Sequence, residues 1–190
     1  MMRAGGELPQ IQIHLIPIGT VERDVLNEIC KGLERAYTQA NCTITNETME
    51  IPKQAYNKLR NQYNSTIIIE EMRRKFVGEA KFLGITQVDL YVPKLNFVFG
   101  EAECPGRVAL ISLHRLYPEF YGEPPNRELF LERAVKEAVH EVGHTLGLKH
   151  CRNPLCVMHF SNSIWDTDTK WPVLCPICTI KLQILLRKAK

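Results

Sequence analysis

The sequence predicts an α/β domain built on a twisted, mostly parallel sheet of about five strands, with one antiparallel strand at its edge. Three observations predict it. A strand-like alternation at 11–19 passes through a turn into a helical repeat and then a second strand-like run. Two further strand-like runs are joined by Cys104-Pro105-Gly106, and the longest helical repeat in the chain comes after them.

IQIHLIPIG, residues 11–19, alternates apolar and polar side chains as far as Ile16 and ends at Gly19-Thr20, so it reads as the first strand. Val21, Val25, Leu26, Ile29, Leu33, Ala36 and Tyr37 recur at helical spacing. The spacing predicts a helix over 21–39 with Thr20 as its N-cap. A short strand at 42–47 completes a right-handed βαβ unit. Residues 48–64 are polar and rich in Asn, Gln and Tyr, and are expected to form an irregular surface excursion. A helix capped by Asn64 or Ser65 then runs to about Phe76, and 83–92 reads as a buried strand. The runs 96–103 and 107–116 should pair as an antiparallel hairpin, because Pro-Gly is a turn signal, which leaves 96–102 as the edge strand. The longest helix covers 128–146 and turns Leu131, Ala134, Val135, Ala138, Val142 and Leu146 inward. After Gly147 regular patterning stops until a basic amphipathic helix from about 176 to 190. The chain is therefore expected to divide into an N-terminal part, 1–147, and a small C-terminal subdomain, 148–190.

A chain of 190 residues can bury roughly 70% of its unfolded surface and needs no covalent staple to fold. Lys and Arg number 24 against 21 Asp and Glu, a formal charge of +3 spread along the chain. That balance argues against nucleic acid as a partner. No apolar run approaches a membrane span, and MMRAGGELPQ lacks the apolar stretch of a signal peptide. The expectation is a soluble, cytoplasmic protein that engages no membrane.

Cysteine placement is uneven. Cys30, Cys42 and Cys104 are scattered, whereas Cys151, Cys156, Cys175 and Cys178 crowd the last 40 residues. An odd total of seven without a secretory signal argues against a disulfide framework and for reduced thiols, with the cluster available to metal.

The predicted long helix ends in HEVGHTLGLKH, which holds His140, Glu141, His144, Gly147 and His150. Histidines four apart project within about 40° of each other, one turn apart, so both imidazoles can reach one metal. Had the helix continued, His150 would point elsewhere, since six residues turn the direction by about 600°. The chain must turn back, and Gly147 can take the left-handed conformation that costs other residues roughly 1–2 kcal/mol. His150 then completes three neutral nitrogen ligands and leaves a fourth position to water. Glu141 projects roughly 100° away from the ligands and reaches that water from the open side. Three-ligand zinc lowers the pKa of its water toward about 7, and an adjacent carboxylate can take the proton.

The string HExxHxxGxxH resembles the metzincin clan of zinc peptidases. The downstream residues Cys151, Cys156, Met158 and Cys175-Pro-Ile-Cys178 form a pattern similar to that of the archaemetzincins, whose signature joins the histidine helix to a four-cysteine zinc site. The order of strands and helices fits over nearly the whole chain. The 16 residues between Met158 and Cys175 are one fewer than the family spacing, a slip within a loop. The resemblance implies a metzincin-like fold, and it makes Met158 the methionine of a turn packed beneath the three histidines. It also makes the segment near 96–102 the upper rim of a cleft that binds extended substrate by strand addition.

The spacings Cys-x4-Cys and Cys-x2-Cys suit a closed tetrahedral site, in which Cys151, Cys156, Cys175 and Cys178 hold a structural zinc with no water position. Neighbouring residues of an extended chain point to opposite sides, so His150 and Cys151 should serve two different zinc ions. Two zinc ions per chain are expected. His14 and His114 fall in predicted strands and read as core or surface histidines, while His159 is a candidate for the cleft wall. The basic tail KLQILLRKAK reads as a solvated face.

The favoured function is a zinc-dependent metallopeptidase that acts on peptide or protein substrates through a zinc-bound water activated by Glu141. The alternatives are a zinc-ribbon-like binding module, which has no use for Glu141, and a metzincin-fold protein with an idle cleft.

Overall fold

The computed structural model describes residues 9–188. Eight strands and five α-helices lie among them: β1 Ile11–Ile18, α1 Arg23–Ala36, β2 Ala40–Ile44, β3 Tyr56–Asn57, β4 Gln62–Asn64, α2 Ser65–Lys75, β5 Lys81–Thr86, β6 Leu90–Tyr91, β7 Gly100–Ala102, β8 Val108–Ser112, α3 Arg127–Thr145, α4 Ile164–Thr169 and α5 Pro176–Lys188. The principal sheet has the order β2-β1-β5-β8-β7. Its first four strands are parallel and β7 runs antiparallel to β8 at the edge. This is the predicted five-stranded architecture.

Both faces of the sheet are covered, as a parallel sheet requires. Ile13 and Leu15 of β1 pack with α1 and α3 in the larger core, while Ile16 and Ile18 pack against Ile68 and Met72 of α2 on the other side. Every residue of β8 is buried, so its VALIS run is uniformly small or apolar. The larger core continues through Leu148, Val157, Met158 and Ile164 to Leu182 and Leu186 of α5.

Several boundaries differ from expectation, each for a local reason. Helix α1 starts at Arg23 with Glu22, not Thr20, as N-cap, and no side chain caps it. The Glu22 carboxylate instead accepts from Arg127 Nη2 at 2.7 Å, tying the start of α1 to the start of α3. Residues 48–64 are ordered by β3 and β4, which form a small second sheet with β6. Asn61, at φ 52°, turns the chain between β3 and β4 and lets Tyr56 pair with Tyr63. The run 83–92 is split, because Asp89 turns aside to accept two 2.7 Å hydrogen bonds from Arg115. Only Gly100–Ala102 of the predicted edge strand pairs with β8, and β8 ends at Ser112, so His114 lies in a 3-10 turn. Asn64 is the N-cap of α2, its side chain accepting from Thr66 N. Between Gly147 and Pro176, where the sequence pattern predicts no regular element, α4 opens with a capping box at Ser163, whose N and Oγ both donate to Asp166 Oδ2 at 3.0 Å. Of the terminal helix, residues 189–190 lie outside the described residues.

The thiols are not all free. Cys30 of α1 and Cys42 of β2 form a disulfide across the βαβ unit. The odd count argues against such a bond, but it resolves as one pair, one four-cysteine cluster and Cys104. No helix among the described residues is long and apolar enough to cross a membrane.

Candidate metal centre and cleft

Helix α3 is started by Asn126, whose Oδ1 accepts from Leu129 N at 3.0 Å, and stopped by Gly147 at φ +90°. There Gly147 N donates to His144 O at 2.8 Å and Leu148 N to Gly143 O at 3.0 Å, a left-handed reversal that satisfies the terminal carbonyls. The reversal carries His150 back over the helix. His144 Nε2 lies 3.1 Å from His140 Nε2 and 3.2 Å from His150 Nε2.

The protonation pattern identifies what belongs between them. His140 Nδ1 donates to Val157 O and His144 Nδ1 to Leu148 O, each at 2.7 Å. Those bonds place the ring protons on Nδ1 and leave the two Nε2 lone pairs facing one point. Burial, with Lys170 adding to it, holds His140 well below the ordinary imidazole range, so it stays neutral. Lone pairs this close repel unless a cation sits among them. Four ligands at about 2.0–2.1 Å from zinc stand about 3.3 Å apart in a tetrahedron, close to the separations found. The donor set fits zinc.

Glu137, His140, Glu141 and His144 occupy positions i, i+3, i+4 and i+7, one face of α3, and all four line a cleft of about 800 Å³. Glu141 packs against the backbone of Gly100, where a β-carbon would stand 2.8 Å from its Oε1. Burial, and secondarily the Glu137 carboxyl, push Glu141 well above the usual carboxylate range. Across the cleft, Phe97, Phe99 and the backbone of β7 form the facing rim. That places the edge strand where it was expected.

Met158, next to the Val157 whose carbonyl holds His140, is fully buried in a turn closed by Cys151 N donating to Met158 O at 2.8 Å. Gly143 faces it: a β-carbon there would collide with the Met158 sulfur and stand 2.9 Å from Tyr37 Oη. Tyr37 Oη in turn donates to Val139 O at 2.6 Å. Neither Gly143 nor Tyr37 nor Val157 stands out in the sequence as part of a site. Gly143 carries a readable signal all the same, since glycine inside a helix costs about 0.5–1 kcal/mol relative to alanine and needs a reason.

Cys151, Cys156, Cys175 and Cys178 come together, with their sulfurs within 4.8 Å of one another. Cys151 Sγ and Cys175 Sγ are 3.9 Å apart, against about 3.8 Å for thiolates on tetrahedral zinc at about 2.3 Å. Cys175 N donates to Cys156 Sγ at 3.4 Å. Three of the four are buried, a closed site unlike the histidine site, where His150 is exposed at the mouth against Phe160. The other histidines join no cluster. His14 bonds Thr43 Oγ1 at 2.6 Å, His114 packs on Phe120, and His159 turns away from the cleft to bond Cys151 O at 2.9 Å.

Behind the cleft lies a charged layer that the sequence pattern does not reveal. Arg133, Lys136 and Glu137 of α3 and Lys170 are all buried. Arg133 makes two 2.7 Å bonds to Asp168, and Lys170 Nζ donates to Glu137 Oε1 at 3.2 Å.

Comparison with known proteins agrees with this geometry. The sequence model of peptidase family M54 matches residues 20–184. Archaemetzincin of Pyrococcus furiosus is 48% identical over 177 residues, covering 90% of this chain and 92% of its own. That of Methanocaldococcus jannaschii is 49% identical over 175 residues, covering 91% and 93%. The crystal structure of archaemetzincin from Methanopyrus kandleri superposes with a TM-score of 0.83 at 36% identity, covering 94% of this chain and 96% of that one. Similarity of this extent, over a fold and a donor set already described, means that the chain belongs to peptidase family M54 and is a zinc metallopeptidase.

Proposed function

We propose that the cleft hydrolyses peptide bonds with Glu141 as the proton-transferring residue, and that the chain holds two zinc ions. The observation that carries this reading is the buried Glu141 carboxyl on the same cleft wall as three convergent imidazole Nε2 atoms, two of them, on His140 and His144, left unprotonated by their Nδ1 hydrogen bonds. His140, His144 and His150 would hold the reactive zinc, and Cys151, Cys156, Cys175 and Cys178 the structural one. When bound, the first supplies Lewis acidity that activates water and polarises the scissile carbonyl.

Glu141 does the rest of the acid–base work. Its raised pKa suits a group that first accepts a proton from the attacking water and then delivers it to the leaving amine. The unpaired edge of β7 offers backbone N–H and C=O groups to an extended peptide, which orients the chain across the histidines. Met158 and Gly143 set the floor on which those rings rest. Residues 1–147 supply the sheet, the rim and the helix, and 148–190 form a metal-held subdomain that completes the ligand set with His150. A binding module would need neither the cleft nor a carboxylate buried in it.

The test is a cleavage-site profile on a proteome-derived peptide library with the parent and Glu141→Gln. Cleavage by the parent that falls at least about a hundredfold in the variant, with zinc content unchanged, is the expected result. Equal cleavage by both would remove Glu141 from the mechanism.

A further inference from the structure

Glu137 is not among the proposed zinc ligands, and although its carboxyl adds to the raised pKa of Glu141, it takes no part in the proton transfers proposed for Glu141. It nevertheless lines the cleft from one helical turn away, a rise of about 6 Å along α3. That is the reach of one substrate side chain measured from the residue being cleaved. Glu137 is 3% exposed, and its partners converge on a single oxygen. Lys170 Nζ, itself buried, donates to Oε1 at 3.2 Å and Thr167 Oγ1 donates to the same atom at 3.0 Å. Thr167 Oγ1 also lies 3.1 Å from the hydroxyl of Ser161, which lines the cleft. The carboxylate is thus clamped from behind. Among the described residues no donor is found for Oε2.

We propose that Glu137 Oε2 is the recognition group for a substrate side chain next to the scissile bond, with Ser161 joined to Glu137 through Thr167 on the same cleft wall, and that it selects a neutral side chain whose tip donates a hydrogen bond. Polarity follows from the free acceptor, which an aliphatic side chain would bury without a partner. Neutrality follows from Lys170. The Glu137–Lys170 pair already balances its own charge, so a lysine or arginine brought into the recess would add an uncompensated buried cation. Amide and hydroxyl side chains meet both conditions. This inference deepens the peptidase reading and rests on it.

The experiment compares peptides that differ only in Gln, Met or Lys at the positions flanking the bond cleaved by the parent enzyme. Gln and Met are close in volume, so their ratio reports the hydrogen bond. The parent should favour Gln over Met in kcat/KM by about ten- to a hundredfold at one of these positions, and should reject Lys there. Glu137→Met combined with Lys170→Met removes both charges together, which a buried pair tolerates far better than loss of one partner. The double variant should keep its two zinc ions and still cleave the Met peptide, at a rate and pH profile altered by the loss of both charges beside Glu141, and its Gln-to-Met ratio should fall to about one. A parent with no Gln preference at either position overturns the inference, and that result stands whether or not the double variant folds. So does a double variant that retains the preference. A zinc-loaded parent that cleaves none of the peptides overturns the peptidase reading itself, and this inference with it.

Discussion

Gly143 stands directly over the Met158 thioether, with no room for a β-carbon between them. The helix and the turn are in contact through this one missing side chain, in the stretch of α3 that carries His140 and His144.

Gly143→Ala should therefore be destabilising, although alanine is the better helix former by about 1 kcal/mol. Overpacking against Met158 and Tyr37 costs about 1–3 kcal/mol and outweighs that gain. Thermal unfolding should show a lower midpoint, and zinc bound by the histidines should dissociate faster. A variant that melts higher than the parent would mean that Met158 moves aside freely.

Glu141→Ala should leave the melting transition nearly unchanged while hydrolysis falls by at least about a hundredfold. The carboxyl is buried and its charge disfavoured there, so removing it relieves a desolvation cost. Parallel calorimetry and peptide cleavage check both halves of this expectation.

Asp168→Asn should cost about 3 kcal/mol, because it leaves the guanidinium of Arg133, with its side chain 1% exposed, without its anionic partner. Urea unfolding of the variant beside the parent gives the value. A change below about 0.5 kcal/mol would show that Glu123, 3.9 Å from Arg133, is counter-ion enough.

Cys175→Ser should loosen the segment from about Cys151 to Ser163, which holds no regular helix or strand and would draw much of its order from zinc on the four cysteines. Limited proteolysis should cut there first. Cleavage elsewhere, with 151–163 still protected, would remove the structural role from the cysteine site.

Parts of the molecule governed by local geometry are legible in the sequence. His140 and His144 are brought together by helix geometry alone, and Cys175 and Cys178 by a single turn, so local spacing is enough. His150 needs one more inference, that Gly147 reverses the chain, and its φ of +90° agrees. The parallel pairing of β1 and β2 is implied by the crossover helix α1 between them, whereas no helix separates β5 from β8, so their parallel pairing is not readable in that way. The charged layer is not readable in the same way. Arg133, Lys136 and Glu137 look like the solvent face of α3, and they are buried because Asp168 and Lys170 return from more than 30 residues downstream. Pairing of Cys30 with Cys42 likewise depends on how α1 lies against β2, which a cysteine count does not contain. The 164–169 helix is within reach, since Ser163 and Asp166 form a capping box in the sequence itself.

The central claim is that two separate ligand sets each hold one zinc, and counting zinc per chain in the parent and in His144→Ala tests it most directly. Two zinc ions are expected in the parent and one in the variant, with the remaining ion on the four cysteines. A parent that saturates at one ion, or a variant that still holds two, would contradict it.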